Sequence, residues 1–476
     1  MSETESSDVV TVLAPSRSGS DPARRAASAT WFWPTLLATT VGGAAIRVAF
    51  AVSQLSRPLP GDGNFYYQTG KLVANGTGFE GPSLTGPLHL VPTAQHPPVL
   101  PAVLAVFDLI GLHSIGAQRI VLSLLAAAAV PLMGVLGRKV TGPLAGLVAA
   151  GLAAVSPLWF QPSGILMSES LYLVAIPAML LIALACLERP TVWRFGGLGI
   201  SIGLATLIRS EALDFVVLVG ALVLVLVAAP WRIRFASAVA LVVGLALVLT
   251  PWFVRNEVQL GGLALSDNIG STFSGSYCPS AIDAKQPDYG TWNFACTVRA
   301  QDAILKEKPP KGSSSWTEVT LNDRMVSDSW SYIRSHLSEM PGTVVAREEA
   351  MTDVGDLGYQ LQYAAAEGRS RPLEELGIIL DWLLVPFAVV GAVVVARRNW
   401  RVFTVIAMPF VVVVANVAVF YGSTRMRVAA EPSLALLGAT GIVAAVTKLR
   451  RRPKGAETTP DGAEHGAPTE PAPTSR

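Results

Sequence analysis

Charge is scarce in this 476-residue chain: Asp, Glu, Lys and Arg make up only 15% of it. A soluble domain carries about 25%, so a protein whose whole surface meets water is excluded. Cysteine is scarcer still, and three residues are too few for a disulfide scaffold. No second His or Cys stands at metal-ligand spacing from His96, which argues against a zinc site. No cleavable signal peptide is expected, because the first apolar run is too long and starts too far in. The net charge of +2 offers nothing to nucleic acid, since Lys and Arg fall in short clusters between apolar runs.

What is abundant is apolar surface: 51% of residues are hydrophobic and the mean hydropathy is +0.47. The apolar runs recur near the ~20 residues that cross a bilayer. This predicts an all-α polytopic membrane protein with about ten spans. They fall at roughly 31–53, 116–137, 142–159, 165–187, 196–210, 212–229, 235–253, 376–396, 402–421 and 429–447. Residues 1–29 and 448–476, rich in small and polar residues, read as disordered tails. Residues 30–253 form a transmembrane region that includes a polar loop at 55–96, residues 254–375 a polar segment, and residues 376–447 the return to the membrane. Pro97-Pro98 opens a short apolar helix to about Leu112, at or dipping into the interface. Within 254–375 the stretch to about Phe294 reads as too irregular for helix. Trp316–Leu337 reads as an amphipathic helix with Val319, Leu321, Met325, Trp330, Ile333 and Leu337 at apolar positions.

Basic clusters set the orientation. Arg24/Arg25, Arg138/Lys139, Arg189/Arg194, Arg232/Arg234, Arg397/Arg398/Arg401 and Lys448/Arg450/Arg451/Arg452 all fall at one set of helix ends. That side is expected to be the cytoplasm, with both termini. The opposite side then receives loop 55–96, Glu169, the Arg209–Glu211 turn, segment 254–375 and the Tyr421–Pro432 turn. Cys278 and Cys296 fall there too, where the compartment permits a disulfide. Cys186, near the inner end of a span, is expected to be a free thiol.

The candidate chemistry lies on that outer side. Asp62 stands between Gly61 and Gly63, so its backbone can turn tightly and be approached closely. Alone it reads as a turn residue, and Glu169 alone reads as a helix-start carboxylate. Two outer carboxylates in so apolar a chain favour one shared polar site, where a carboxylate takes a proton from a hydroxyl. Arg209, Arg255, Arg425 and Arg427 sit in three outer turns. Each alone reads as snorkelling to headgroups, but together they suit a phosphate gripped in fork geometry. Tyr66, Tyr67, His96 and Glu211 are further candidates to line that polar site, where a neutral His96 imidazole would hold a hydroxyl or a carboxylate. No metal site is expected, although Asp62 and Glu169 would share a divalent ion if they met.

These pieces, in their order along residues 31–447, resemble the GT-C glycosyltransferases that use polyprenyl-phosphate sugars, and among them glycosyltransferase family 39. The pieces are Gly61-Asp62 with Tyr66 and Tyr67, Gly76-Thr77-Gly78-Phe79, His96-Pro97-Pro98, Arg119 and Ser168-Glu169. Further along come Gly203 to Glu211, Pro251 to Asn256, and Tyr421 to Arg427 with Glu431-Pro432. The resemblance implies a cell-membrane enzyme that moves a hexose or pentose from a polyprenyl-phosphate donor to an acceptor on the extracytoplasmic side. It implies Asp62 as the general base or acceptor-positioning acid and Glu169 as the second acid. Arg209, Arg255 and Arg425, with Arg427, would face the donor phosphate, with no cofactor. Tyr66, Tyr67, His96 and Glu211 would face the sugar or acceptor. The acceptor (polysaccharide, lipid or protein) stays open, because segment 254–375 shows no recognisable sugar-binding domain. A transporter or flippase, or a non-catalytic binder of polyprenyl-linked sugars, are the alternatives; Asp381 and Asn416 are the polar residues that would serve a path through the membrane.

Overall fold

The computed structural model describes residues 22–82, 89–311 and 314–450. Of the tails expected at 1–29 and 448–476, residues 1–21 and 451–476 lie outside the described residues, while 22–29 and 448–450 are helical. The first helix, Pro22–Ser53, reaches back beyond the expected start at Trp31.

The described chain is a bundle of apolar helices with one polar end. Seven helices are long and apolar enough to cross a bilayer: Thr30–Ser53, Ile115–Val140, Glu169–Glu188, Trp231–Leu260, Arg371–Arg398, Trp400–Val419 and Glu431–Leu449. An eighth crossing exists if Pro143–Val155 and Pro157–Gly164, bent by 45°, act as one. The expected count of ten is thus not confirmed among the described residues. One of the other two runs, Val192–Ile208, is helical but only 17 residues long. The other, after Arg209, breaks into a 3₁₀ turn (Ser210–Asp214), a π-helical turn (Val216–Ala221) and the short helix Leu222–Leu226. Arg209 is extended there, and its side chain is drawn into ion pairs with Glu169 and Glu211.

Small residues fix the helix spacing. Arg371–Arg398 packs on Glu431–Arg450 backbone to backbone. A methyl group on Gly391 would collide with the Leu437 carbonyl, and one on Gly441 with the Phe387 carbonyl. One large core, including Tyr172, Phe195, Phe215 and Val412, runs through the bundle.

The polar end is more ordered than its composition suggests. Loop 55–96 contains the helix Gly61–Ala74 and a hairpin of Glu80–Pro82 with Leu90–Pro92, paired antiparallel. Asp62 sits in the first turn of that helix. Gly61 adopts φ +50°, and a side chain on Gly63 would strike the Ile165 carbonyl. Buried Arg119 pins the approach, donating to the carbonyls of Gln54, Arg57 (3.0 Å) and Pro58 (3.4 Å). Trp231–Leu260 runs past the expected boundary at 253 and carries Arg255 on its last turns. The stretch expected to be irregular up to Phe294 holds the short helices Ile269–Ser276 and Pro279–Ile282. Tertiary packing overrides its Gly- and Ser-rich composition: Phe273 meets the rings of Tyr277, Trp330 and Phe420 at 5.4, 6.0 and 5.5 Å. The amphipathic helix is Glu318–Ser335, opened by a Thr317–Thr320 capping box. It buries Leu321, Met325 and Ile333, while Trp330 and Leu337 are exposed.

Cys278 and Cys296 are joined, with their Cα atoms 6.4 Å apart, and Cys186 is free and buried. Closing a loop of this length contributes about 3 kcal/mol in the chain-entropy account. Alkylation in denaturant should therefore label one cysteine without reductant and all three after reduction. Three labels before reduction would contradict the pairing.

Candidate active site

The site is organised around one buried carboxylate. Glu169 opens its helix and is 1% exposed, out of reach of solvent. Its Oε1 takes Arg425 through Nε, Arg209 through Nη1 at 3.0 Å, and Arg369 through Nη2 at 3.7 Å. The arginines then reach outward. Arg425 Nη2 donates to Asp62 Oδ2 at 2.7 Å, and its Nη1 to Glu367 Oε1 at 2.8 Å. Arg209 Nε pairs with Glu211. Arg369 holds Glu374 at 3.1 Å, and Gln161 Nε2 donates to the same carboxylate at 2.9 Å.

Asp62 is accessible, its side chain 29% exposed, and with Glu211 and Asp214 it lines a cavity of about 460 Å³. Burial would raise its carboxyl, but Arg425 and then His96 outweigh burial and hold it well below the usual carboxylate range. His96 Nε2 lies 3.6 Å from Asp62 Oδ1, and its ring packs 5.0 Å from those of Phe65 and Tyr66. Tyr66 shares the cavity and donates to Ser168 Oγ at 3.5 Å. Burial, reinforced by Asp62, raises its phenol and keeps it neutral. Arg209, Glu211, Asp214, Asn416 and Arg425 extend the polar wall. Ile208, Leu213, Leu265, Phe420 and Met426 supply the apolar wall.

The structure brings together Asp62, Tyr66, His96, Arg209, Glu211 and Arg425, with Glu169 directly behind them. It sends three others elsewhere. Tyr67 donates to the His113 carbonyl at 2.9 Å. Arg255 donates to the carbonyls of Thr93 (2.9 Å) and Phe79, stacked beside Trp252 and Phe79. Arg427 lies in a second buried cluster with Asp353 (2.5 Å), Asp381 (2.9 Å) and Glu431 (3.0 Å). Asp381 is thus a partner of Arg427. Asn416 does line the cavity, bonded to Asp214 at 2.6 Å. Glu367, Arg369, Glu374, Gln161 and Asp214 were not singled out in the sequence. The first three sit in or beside a polar segment where charge attracts no notice, although Glu367-Gly368-Arg369 directly precedes the return to the membrane.

Residues 95–254 match the family model described as "Dolichyl-phosphate-mannose-protein mannosyltransferase". No curated protein matches the chain in sequence. Among solved structures, the chain is similar to the archaeal oligosaccharyltransferase AglB from Archaeoglobus fulgidus, solved with an inhibitory peptide and a dolichol-phosphate. The TM-score is 0.51 at 13% identity, over 89% of this chain and 51% of AglB. The chain therefore spans about half the length of AglB. ArnT from Cupriavidus metallidurans, bound to undecaprenyl phosphate, aligns at a TM-score of 0.37 and 16% identity, over 89% of this chain and 81% of ArnT. The chain has the GT-C fold of polytopic membrane glycosyltransferases. Within it, residues 95–254 carry the sequence signature of the dolichyl-phosphate-mannose-protein mannosyltransferase family.

The His96 loop is held from outside. Glu318 Oε1 accepts from Ala94 N at 2.7 Å, Asp267 N donates to Ala94 O at 2.8 Å, and Ser266 Oγ donates to Gln95 O at 2.8 Å. Burial, then the charges of Glu318 and Asp323, push the Asp267 carboxyl up to about 7. An acid that binds its proton more tightly folded than unfolded stabilises the fold at low pH. That contribution is lost as pH rises from about 4 to 7. Asp267→Asn fixes the neutral form. It should match wild type near pH 4 and melt higher by on the order of 2–4 °C at pH 8 in detergent. Equal melting temperatures at pH 8 would contradict the strain on this acid.

Proposed function

We propose that this protein transfers a sugar from a polyprenyl-phosphate donor to a hydroxyl-bearing acceptor, at the extracytoplasmic face of the cell membrane. The observation that carries the reading is Asp62, an ionised, reachable carboxylate facing a part-apolar cavity that also receives Arg209. The fold and the family match support the same chemistry. The basic clusters at the opposite helix ends and the Cys278–Cys296 bond support the sidedness.

The steps follow from the placement. The acceptor hydroxyl binds at Asp62, which orients it and receives its proton as the oxygen attacks the anomeric carbon. The bond from that carbon to the phosphate oxygen breaks, and the phosphate leaves with its electron pair. Arg209 meets the developing charge: among the described residues its Nη2 makes no hydrogen bond, while Nε and Nη1 are held by Glu211 and Glu169. A guanidinium fixed before reaction stabilises the leaving phosphate more in the transition state than in the ground state. The apolar wall takes the first isoprene units. Glu211, Tyr66 and His96 border the sugar. Arg255 and Arg427, with their guanidiniums held by carbonyls and by a separate acid cluster, serve the frame.

Asp62→Asn should lower single-turnover transfer in nanodiscs by roughly 10²–10⁴ with donor binding unchanged. Arg209→Ala should lose donor affinity and turnover together, and Arg209→Lys should recover only part, since it keeps charge but not the fork. Wild-type transfer by Asp62→Asn, with intact donor binding by Arg209→Ala, would refute the assignment.

A further inference from the structure

We propose that Arg425 is the resident cation of this site, standing where a divalent ion would otherwise be needed to hold Asp62, Glu169 and Glu367 together. The proposal deepens the glycosyl-transfer reading of the same cavity, but its binding test does not depend on it.

Three carboxylates from three remote parts of the chain meet here. Asp62 opens one helix, Glu169 opens another, and Glu367 follows the helix Leu357–Ala366. Each takes a different nitrogen of one guanidinium: Asp62 on Nη2 at 2.7 Å, Glu367 on Nη1 at 2.8 Å, and Glu169 on Nε. Convergent carboxylate oxygens are the ligand set of a hard divalent cation. Here the planar guanidinium fills the centre and uses all three of its nitrogens, so the residues as they stand do not fit a metal. Among the described residues no group of three or more His, Cys, Asp or Glu side chains is arranged to hold one. Arg425 is also no snorkelling side chain, being 12% exposed and surrounded by acids.

A second observation points the same way. Glu169 Oε2 is buried and has no hydrogen-bond partner. With the guanidinium removed, Glu169 is left less compensated still, and its Oε1 joins the Asp62 and Glu367 oxygens as a donor for whatever cation enters. Arg209 and Arg369 stay beside Glu169, which limits the affinity of such a site. Arg425 is thus a positioning residue that fixes both the orientation and the ionisation of Asp62.

The test is a Mn²⁺ titration of the full-length protein in nanodiscs, read by electron paramagnetic resonance. Wild type should bind no stoichiometric Mn²⁺. Arg425→Ala should bind one ion with Kd on the order of 10⁻⁴ M, and adding Glu367→Gln should abolish it. Wild-type transfer should be unaffected by EDTA. In Arg425→Ala the acid limb of the pH–rate profile should move up by about one to three units, and added methylguanidinium should move it back. Stoichiometric Mn²⁺ on wild type that Asp62→Asn removes, or a folded Arg425→Ala that binds none, overturns the proposal. If Arg425→Ala does not fold, the wild-type titration and the EDTA arm decide in the same directions. If wild type transfers no sugar from any labelled donor, the transfer reading fails while the titration still decides this one.

Discussion

Burying the Glu169 carboxylate at the mouth of an apolar bundle is the constraint on which the rest of the site depends. An isolated charge there is prohibitively expensive, so it is held by guanidiniums that need carboxylates of their own. Arg425 finds Asp62 and Glu367, Arg209 finds Glu211, and Arg369 finds Glu374. Each of these partners lies on a different element, so satisfying one buried acid ties together the first polar loop, the broken helix after Arg209 and the approach to Arg371–Arg398. Removing one partner of such a web strands the others, at a cost of about 3–5 kcal/mol for a buried pair.

This web also divides the arginines. Arg425 is fully engaged and sets the ionisation of Asp62. Arg209 keeps one edge toward the cavity. Arg427 builds a second buried cluster with Asp353, Asp381 and Glu431, behind the first and outside the cavity. Arg255 braces the Thr93 strand end, and through it the loop that presents His96. Four arginines that look equivalent in the sequence thus have three kinds of surroundings, and only the geometry separates them.

The membrane character and the convergence of Asp62, Glu169 and Arg425 were legible because charge in an apolar chain has few places to go. Gly61 and Gly63 were legible as a tight turn open to close approach; in the fold Gly61 takes a positive φ, and Gly63 leaves no room for a side chain beside the Ile165 carbonyl. The span count was not. Hydropathy scores residues 212–229 as a span, but the chain there passes through a 3₁₀ turn, a π-helical turn and a short helix. Composition also hid the helix Ile269–Ser276, which is held by ring packing from residues far away in sequence. Glu367 and Arg369 escaped notice because a charge inside a polar segment carries no signal until the fold brings it to Glu169. Arg255 is the opposite case: its position at a helix end suits a phosphate, and the fold bonds its guanidinium to the carbonyls of Phe79 and Thr93.

The most direct test of the account is a structure of the protein with its polyprenyl phosphate bound. The account predicts phosphate oxygens within about 3 Å of the Arg209 guanidinium, the lipid chain along Leu213 and Met426, and the Arg425 contacts to Asp62 and Glu367 preserved. A phosphate seated on Arg255 or Arg427, or one that draws Arg425 away from Asp62, would contradict it.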